Sequence, residues 1–154
     1  MKIADILSPG CVIADIQATT KKGILEELAK PVAHEHHLDL DDLVGVLQAR
    51  EKLGSTGIGD GVAIPHGKIG DLKSIVAAMA RSPRGLNFDA IDNRPCHIFF
   101  MLLAPSNSAS QHLKALARAS TLLKDPTLRQ KIMETKSSGE MYHLILDYDS
   151  RLDE

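Results

Sequence analysis

From residue 96 to 103 the chain reads Cys-His-Ile-Phe-Phe-Met-Leu-Leu, apolar at nearly every position. Such a run predicts a strand at the centre of a sheet covered on both faces. Ala104 and Pro105 are expected to end it. Residues 74–80 (Ser-Ile-Val-Ala-Ala-Met-Ala) predict a second buried strand, and Val62-Ala63-Ile64 and Cys11-Val12-Ile13 predict two short ones. Elsewhere the apolar positions recur with a helical period. Ile24, Leu25, Leu28, Val32 and Ala33 share one face of residues 21–36, with Thr20 as N-cap. Leu40, Leu43, Val44 and Leu47 share a face of residues 39–51, where Asp39 can cap. Leu113, Leu116, Ala117, Ser120 and Leu123 predict a helical stripe over residues 110–124. Residues 126–134 and 138–147 predict two further helices, the last facing inward through Met141, Leu144 and Ile145. Pro83-Arg84-Gly85 is turn chemistry. Strands interleaved with helices predict an α/β fold, a mixed β-sheet sandwiched between helices, as a single domain over residues 1–154.

Composition narrows the functions that such a domain can serve. A length of 154 residues with 44% hydrophobic and 25% charged positions is ordinary for a soluble globular chain. The formal charge of −2 gives no pull toward nucleic acid or an anionic membrane, and 3% aromatic content without tryptophan offers no base-stacking platform. No segment reaches the ~18 apolar residues of a membrane span, so no membrane insertion is expected. The first residues, Met1-Lys2-Ile3-Ala4-Asp5, lack the apolar run of a signal peptide. Two distant cysteines, Cys11 and Cys96, read as buried thiols of a reducing, cytoplasmic compartment.

The candidate chemistry concentrates in residues 54–68, Gly-Ser-Thr-Gly-Ile-Gly-Asp-Gly-Val-Ala-Ile-Pro-His-Gly-Lys. Glycines expose backbone N–H groups and accept positive φ, so Gly57 and Gly59, with the hydroxyls of Ser55 and Thr56, form a candidate anion cradle. His66, between Pro65 and Gly67, is the first candidate for a nucleophile, because a neutral imidazole can accept a phosphoryl group on one ring nitrogen while the other is held. His112 opens a predicted helix, where an anion is favoured, and follows Ser106, Ser108 and Ser110. Arg50 ends the preceding helix and can grip two phosphate oxygens with its planar fork. Each has a plainer alternative: a structural histidine, a solvated first-turn residue, a cation suited to a helix C-terminus. Of the cluster His34, His36 and His37, His34 and His37 share a helix face at i, i+3 spacing but lack a convincing third ligand, and late-helix histidines suit the helix dipole better than a metal site. His97 and His143 lie in apolar segments and read as structural. No G-x-x-x-x-G-K-[ST] pattern is present, so the phosphoryl group is expected from a donor protein rather than from ATP.

Arg50-Glu51 with the whole of residues 54–68, then Phe88-Asp89-Ala90-Ile91-Asp92-Asn93-Arg94-Pro95 and His112-Leu113-Lys114-Ala115-Leu116, resembles the enzyme IIA domain of the phosphoenolpyruvate phosphotransferase system, fructose/mannitol type. The resemblance runs over about residues 6–147. It implies phosphorylation of His66, with His112 and Arg50 holding the phosphoryl group, and neither cofactor nor metal. Without fused IIB, IIC or membrane segments, the chain is most similar to the nitrogen-regulatory branch of the family. That branch implies an HPr-like phosphocarrier as donor and regulatory target proteins, of transporter or kinase type, bound according to phosphorylation state. A sugar-specific IIA passing phosphate to a separate IIB, and a binding module that has lost transfer, are the alternatives. A hydrolase using Ser55 or Thr56 with His66 as base would need an acid orienter that the sequence does not supply. Asp60 departs from a pattern that often carries Asn there. A carboxylate turned toward the phosphoryl group would impair transfer.

Overall fold

The chain builds its sheet around the two apolar segments, and the sheet brings a short edge strand under two helix ends. The structure, a computed structural model, describes residues 1–70 and 72–152; residues 71, 153 and 154 of the predicted domain lie outside the described residues. After a 3-10 turn at Ile3–Asp5, the elements are β1 (Leu7–Ile13), α1 (Lys21–His36), α2 (Leu40–Lys52), β2 (Gly57–Gly59), β3 (Val62–Ala63), β4 (His66–Ile69), β5 (Val76–Leu86), β6 (Cys96–Pro105), α3 (Ala109–Leu123), α4 (Pro126–Glu134) and α5 (Ser138–Arg151). Among the described residues one six-stranded sheet runs β1-β5-β6-β3-β2, with β4 also pairing β6. β5 and β6 are antiparallel, placing Ala78 opposite Met101. β1 lies parallel to β5, and β3 and β4 lie parallel to β6. This is the single-domain α/β fold with a mixed sheet that the pattern predicts.

The central strand is buried as expected: from Ile98 to Pro105 no residue of β6 reaches solvent appreciably. α1 and α2 pack on each other and on the sheet, and the stripe Ile24, Leu25, Leu28, Val32, Ala33 is entirely buried. The predicted caps hold. Thr20 accepts from the Gly23 N–H at 3.0 Å and Asp39 from the Asp42 N–H at 3.1 Å.

Four readings of local structure are corrected. The turn expected at residues 83–85 is instead an irregular stretch of β5, where the register shifts between Arg81 and Leu86 and Gly85 takes φ 76°; a bulge can accommodate Pro83 without ending the strand. β6 continues to Pro105, beside Ile69, because a proline at a strand's last residue costs little pairing. α5 continues to Arg151, held by buried Asp149, which accepts from the Ile3 N–H at 2.7 Å and from Arg118 Nε at 2.5 Å. The stripe of α3 is rotated by one residue. Its buried face is His112, Ala115, Ala119, Leu122 and Leu123, while Leu113 is turned outward. Small alanines let α3 lie close to the sheet, and the larger leucine is displaced to the surface.

Candidate functional site

β4 is four residues long and sits where α2 and α3 converge on one edge of the sheet. His66 is its first residue, opposite Leu102 of β6. Gly67 has a packing reason: a Cβ there would lie 2.4 Å from Val46 Cγ1, so the glycine lets α2 approach the strand. Side chains on a strand alternate, so His66 and Lys68 emerge on the same side. They open into a cleft of about 610 Å³ shared with Val46, Ala49, Arg50 and Leu53 from α2 and its end, and Ala109, His112, Leu113 and Leu116 from α3.

The two histidines meet edge to face, with ring centroids 5.5 Å apart and planes at 76°. The Nδ1 of His66 lies 2.8 Å from the Ile64 carbonyl. A carbonyl only accepts, so Nδ1 carries the proton and Nε2 keeps its lone pair. Burial holds the His66 imidazole below its ordinary protonation range; the Ile64 bond and Glu51 oppose this, and Arg50 adds to it. His66 is therefore neutral and nucleophilic near pH 7. His112 is only 6% exposed, and its Nε2 is buried without a hydrogen-bond partner. Burial, then His66 and Lys68, hold it below its ordinary range as well. A buried polar nitrogen left without a partner is costly, about 1–3 kcal/mol, and here it belongs to a ring beside His66. Arg50 Nη1 donates to the Gly54 carbonyl at 2.8 Å, which fixes the guanidinium at the cleft wall. The lining thus holds two cations, two neutral imidazoles and no carboxylate. Around its mouth Leu53 is 84% and Leu113 is 67% exposed.

The structure brings together His66, His112 and Arg50. It does not bring Ser55, Thr56, Gly57 or Gly59 to the cleft. The Ser55 hydroxyl donates to the Phe88 carbonyl at 2.6 Å and accepts from the Gly57 N–H at 3.0 Å. Thr56 is 4% exposed, and both its N–H, at 3.0 Å, and its hydroxyl donate to the Glu51 carboxylate. Gly57 is a glycine because a Cβ would come within 2.8 Å of Ala90 Cβ. Much of the expected open loop is therefore the strand pair β2–β3, and the donors just before it are spent on Phe88 and Glu51. Asp60 adopts φ 57°, a left-handed turn that Asp and Asn both tolerate. It borders a different groove, with Gly61, His97 and Arg129, so its carboxylate does not face His66. His97 is half-buried, with Nδ1 3.0 Å from the Ser82 carbonyl, whereas His143 is exposed. His37 forms the left-handed C-cap of α1.

Sequence reasoning passed over Lys68, Glu51 and the two exposed leucines. The i, i+2 spacing of His66 and Lys68 would have found the lysine once residues 66–69 were read as a strand. Glu51 gives a fainter signal: an acidic residue in the last turn of a helix, where the dipole disfavours it.

A model of the family described as "Phosphoenolpyruvate-dependent sugar phosphotransferase system, EIIA 2" matches residues 5–148. The chain is 37% identical over 145 residues to a nitrogen regulatory protein of Bradyrhizobium diazoefficiens, an alignment covering 94% of this chain and 95% of that one. Among solved structures it resembles the nitrogen regulatory protein IIA-Ntr of Neisseria meningitidis, with a TM-score of 0.87, 34% identity and coverage of 93% of this chain and 98% of that one. The mannitol IIA of Escherichia coli shares the fold, with a TM-score of 0.76 at 20% identity over 90% of this chain and 97% of that one. No helix among the described residues is long and apolar enough to cross a membrane.

Proposed function

The chain belongs to the EIIA 2 family of the phosphoenolpyruvate-dependent sugar phosphotransferase system, and from that premise we propose that it is a histidine phosphocarrier of the nitrogen-regulatory kind. The carrying observation is the pairing of a half-buried His66, whose Nδ1 is committed to Ile64, with a buried His112 Nε2 that has no partner. In the proposed reaction the lone pair on His66 Nε2 attacks the phosphorus of a phosphohistidine on an HPr-like donor. A nitrogen–phosphorus bond forms on His66 as the donor's breaks, and the electron pair of the broken bond returns to the donor imidazole. The proton stays on His66 Nδ1, which goes on donating to the Ile64 carbonyl. His112, as the Nε2–H tautomer, and Arg50 donate to the phosphoryl oxygens, and Lys68 adds positive charge at the same wall. Catalysis of this kind is positioning and charge stabilisation, with no ATP and no metal required of the chain.

The rim supports a role in which partners are bound. Two large exposed leucines beside a reactive residue suit a protein surface that docks there. A dianion arriving in the middle of this apolar rim changes which surfaces can bury it, so partner choice follows phosphorylation state. Its regulatory partners would be transporter or kinase regulators, in a cytoplasmic setting. Incubation with a phosphorylated HPr-type carrier is expected to place one acid-labile phosphoryl group on the wild-type chain and none on His66→Ala. An undiminished adduct on His66→Ala would overturn the assignment. Regulator binding that ignores the phosphoryl group would overturn the regulatory half of the proposal.

A further inference from the structure

We infer that Glu51 is a positioning residue for His66, acting through the hydrogen-bonded chain Glu51–Thr56–Ile64–His66. The inference rests on the phosphocarrier reading of His66. Each link is short. The Thr56 N–H donates to Glu51 Oε1 at 3.0 Å, the Ile64 N–H donates to the Thr56 carbonyl at 3.0 Å, and His66 Nδ1 donates to the Ile64 carbonyl at 2.8 Å. The Thr56 hydroxyl donates to the second carboxylate oxygen. Glu51 itself never touches the cleft; it stands one residue after Arg50 on α2, facing the other way.

A carboxylate in this place needs a reason. Glu51 is 8% exposed, and burying a charge is expensive unless it is paired and hydrogen-bonded. Here it collects two donors from Thr56 and the Lys21 ammonium at 3.2 Å, while Lys21 also reaches Asp89 at 3.7 Å. The charged acceptor pulls the Thr56 peptide toward α2. That fixes the strand segment whose carbonyls face the Ile64 N–H and, through Ile64, the His66 ring. At Thr56 and at Ile64 the N–H and the carbonyl used belong to successive peptide groups, so the links transmit position rather than polarisation. No proton travels along this chain, because its amides only orient. The result is one fixed tautomer, with the Nε2 lone pair free.

Electrostatics acts in the same sense. The charged and titratable groups around His66 are Arg50 from α2, Lys68 from its own strand and His112 from α3 in the cleft, with Glu51 acting from behind α2 and itself paired with Lys21 from α1. Burial and Arg50 lower the protonation midpoint of His66, and the Ile64 bond and Glu51 raise it. Removing the carboxylate charge should therefore lower the midpoint, and removing the Lys21 cation that offsets it should raise it. The opposite signs report the charge of Glu51, and the tautomer of His66 reports its positioning role, which a purely structural Glu51 would leave unchanged.

The test uses the whole chain with nitrogen-15-labelled imidazoles. NMR titration reads the tautomer and midpoint of His66 in wild type, Glu51→Gln and Lys21→Gln, and a time course reads phosphoryl uptake from a phosphorylated HPr-type carrier. Glu51→Gln is expected to lower the midpoint, to populate the second tautomer and to slow uptake by about tenfold, the scale of one charged hydrogen bond. Lys21→Gln is expected to raise the midpoint, and it carries the test if Glu51→Gln does not fold. Unchanged tautomer, midpoint and uptake in a folded Glu51→Gln would overturn the inference, as would a midpoint in Lys21→Gln that stays put or falls. Wild type that takes up no phosphoryl group overturns the phosphocarrier reading alone; the nitrogen shifts still decide the role of Glu51.

Discussion

The segment from Gly54 to Ile64 and the cleft between α2 and α3 are neighbours, yet they treat their polar groups in opposite ways. In the first, Ser55 bridges Phe88 and Gly57, Thr56 is spent on Glu51, and Asp92 accepts from the Asp60 N–H at 3.0 Å. In the second, the Nε2 of His112 is buried with no partner, and leucines stand in solvent at the mouth. A region whose polar groups are already taken by partners elsewhere in the fold is scaffold. A region that leaves a buried polar nitrogen without a partner and apolar surface uncovered is the candidate for binding. The glycine-rich stretch is thus the frame that holds His66, and the cleft is where the proposed chemistry would take place.

The comparison breaks most visibly at His112. His112→Leu should slow phosphoryl uptake by about 10²-fold, as loss of one preorganised donor to a developing anion does. The same variant should unfold no earlier than wild type, because it removes a buried nitrogen that is unsatisfied in the unphosphorylated protein. Rapid-quench uptake and thermal melts on one sample measure both. A melt that drops while uptake persists would place His112 in the scaffold instead.

Ser55→Ala probes the other side with a smaller effect. It strips the Phe88 carbonyl of its donor and the Gly57 N–H of its acceptor, so unfolding free energy should fall by about 1–2 kcal/mol in denaturant titration. Uptake per folded molecule should remain as in wild type. A large loss of uptake with stability intact would return the hydroxyl to the phosphoryl site.

The smallest expected effect is on acid stability. His66 and His112 are both held below the ordinary value of 6.5, so the unfolded chain takes up protons first as pH falls. Their contribution is complete above pH 6.5 and is lost progressively as pH drops through the folded values. The unfolding midpoint should decline on that limb, and more gently in His112→Leu. An equally steep decline in the variant would contradict the stated titration of His112.

Much of this fold was legible because long segments repeat one period without interruption. The buried run at residues 96–103 and the stripe on α1 each leave one reading, and both hold. His66, Arg50 and His112 stood out because their chemistry and helix-end positions are local properties. What was not legible depends on neighbours distant in sequence. β2 and β4 are short strands defined by pairing with β3 and β6, with no apolar period of their own. The donors of Ser55 and Thr56 looked available because their acceptors, Phe88 and Glu51, are contributed by other elements. The one-residue rotation of α3 arose because alanines pack closest to the sheet, which a stripe of leucines conceals.

The central claim is that Nε2 of His66, and not the Nδ1 held by Ile64, bears the phosphoryl group. Phosphorus–nitrogen coupling in the phosphorylated, nitrogen-15-labelled protein reads this directly. The expected result is a single coupled nitrogen, Nε2 of His66, with Nδ1 still protonated. Coupling to Nδ1, or to a nitrogen of His112, would contradict it.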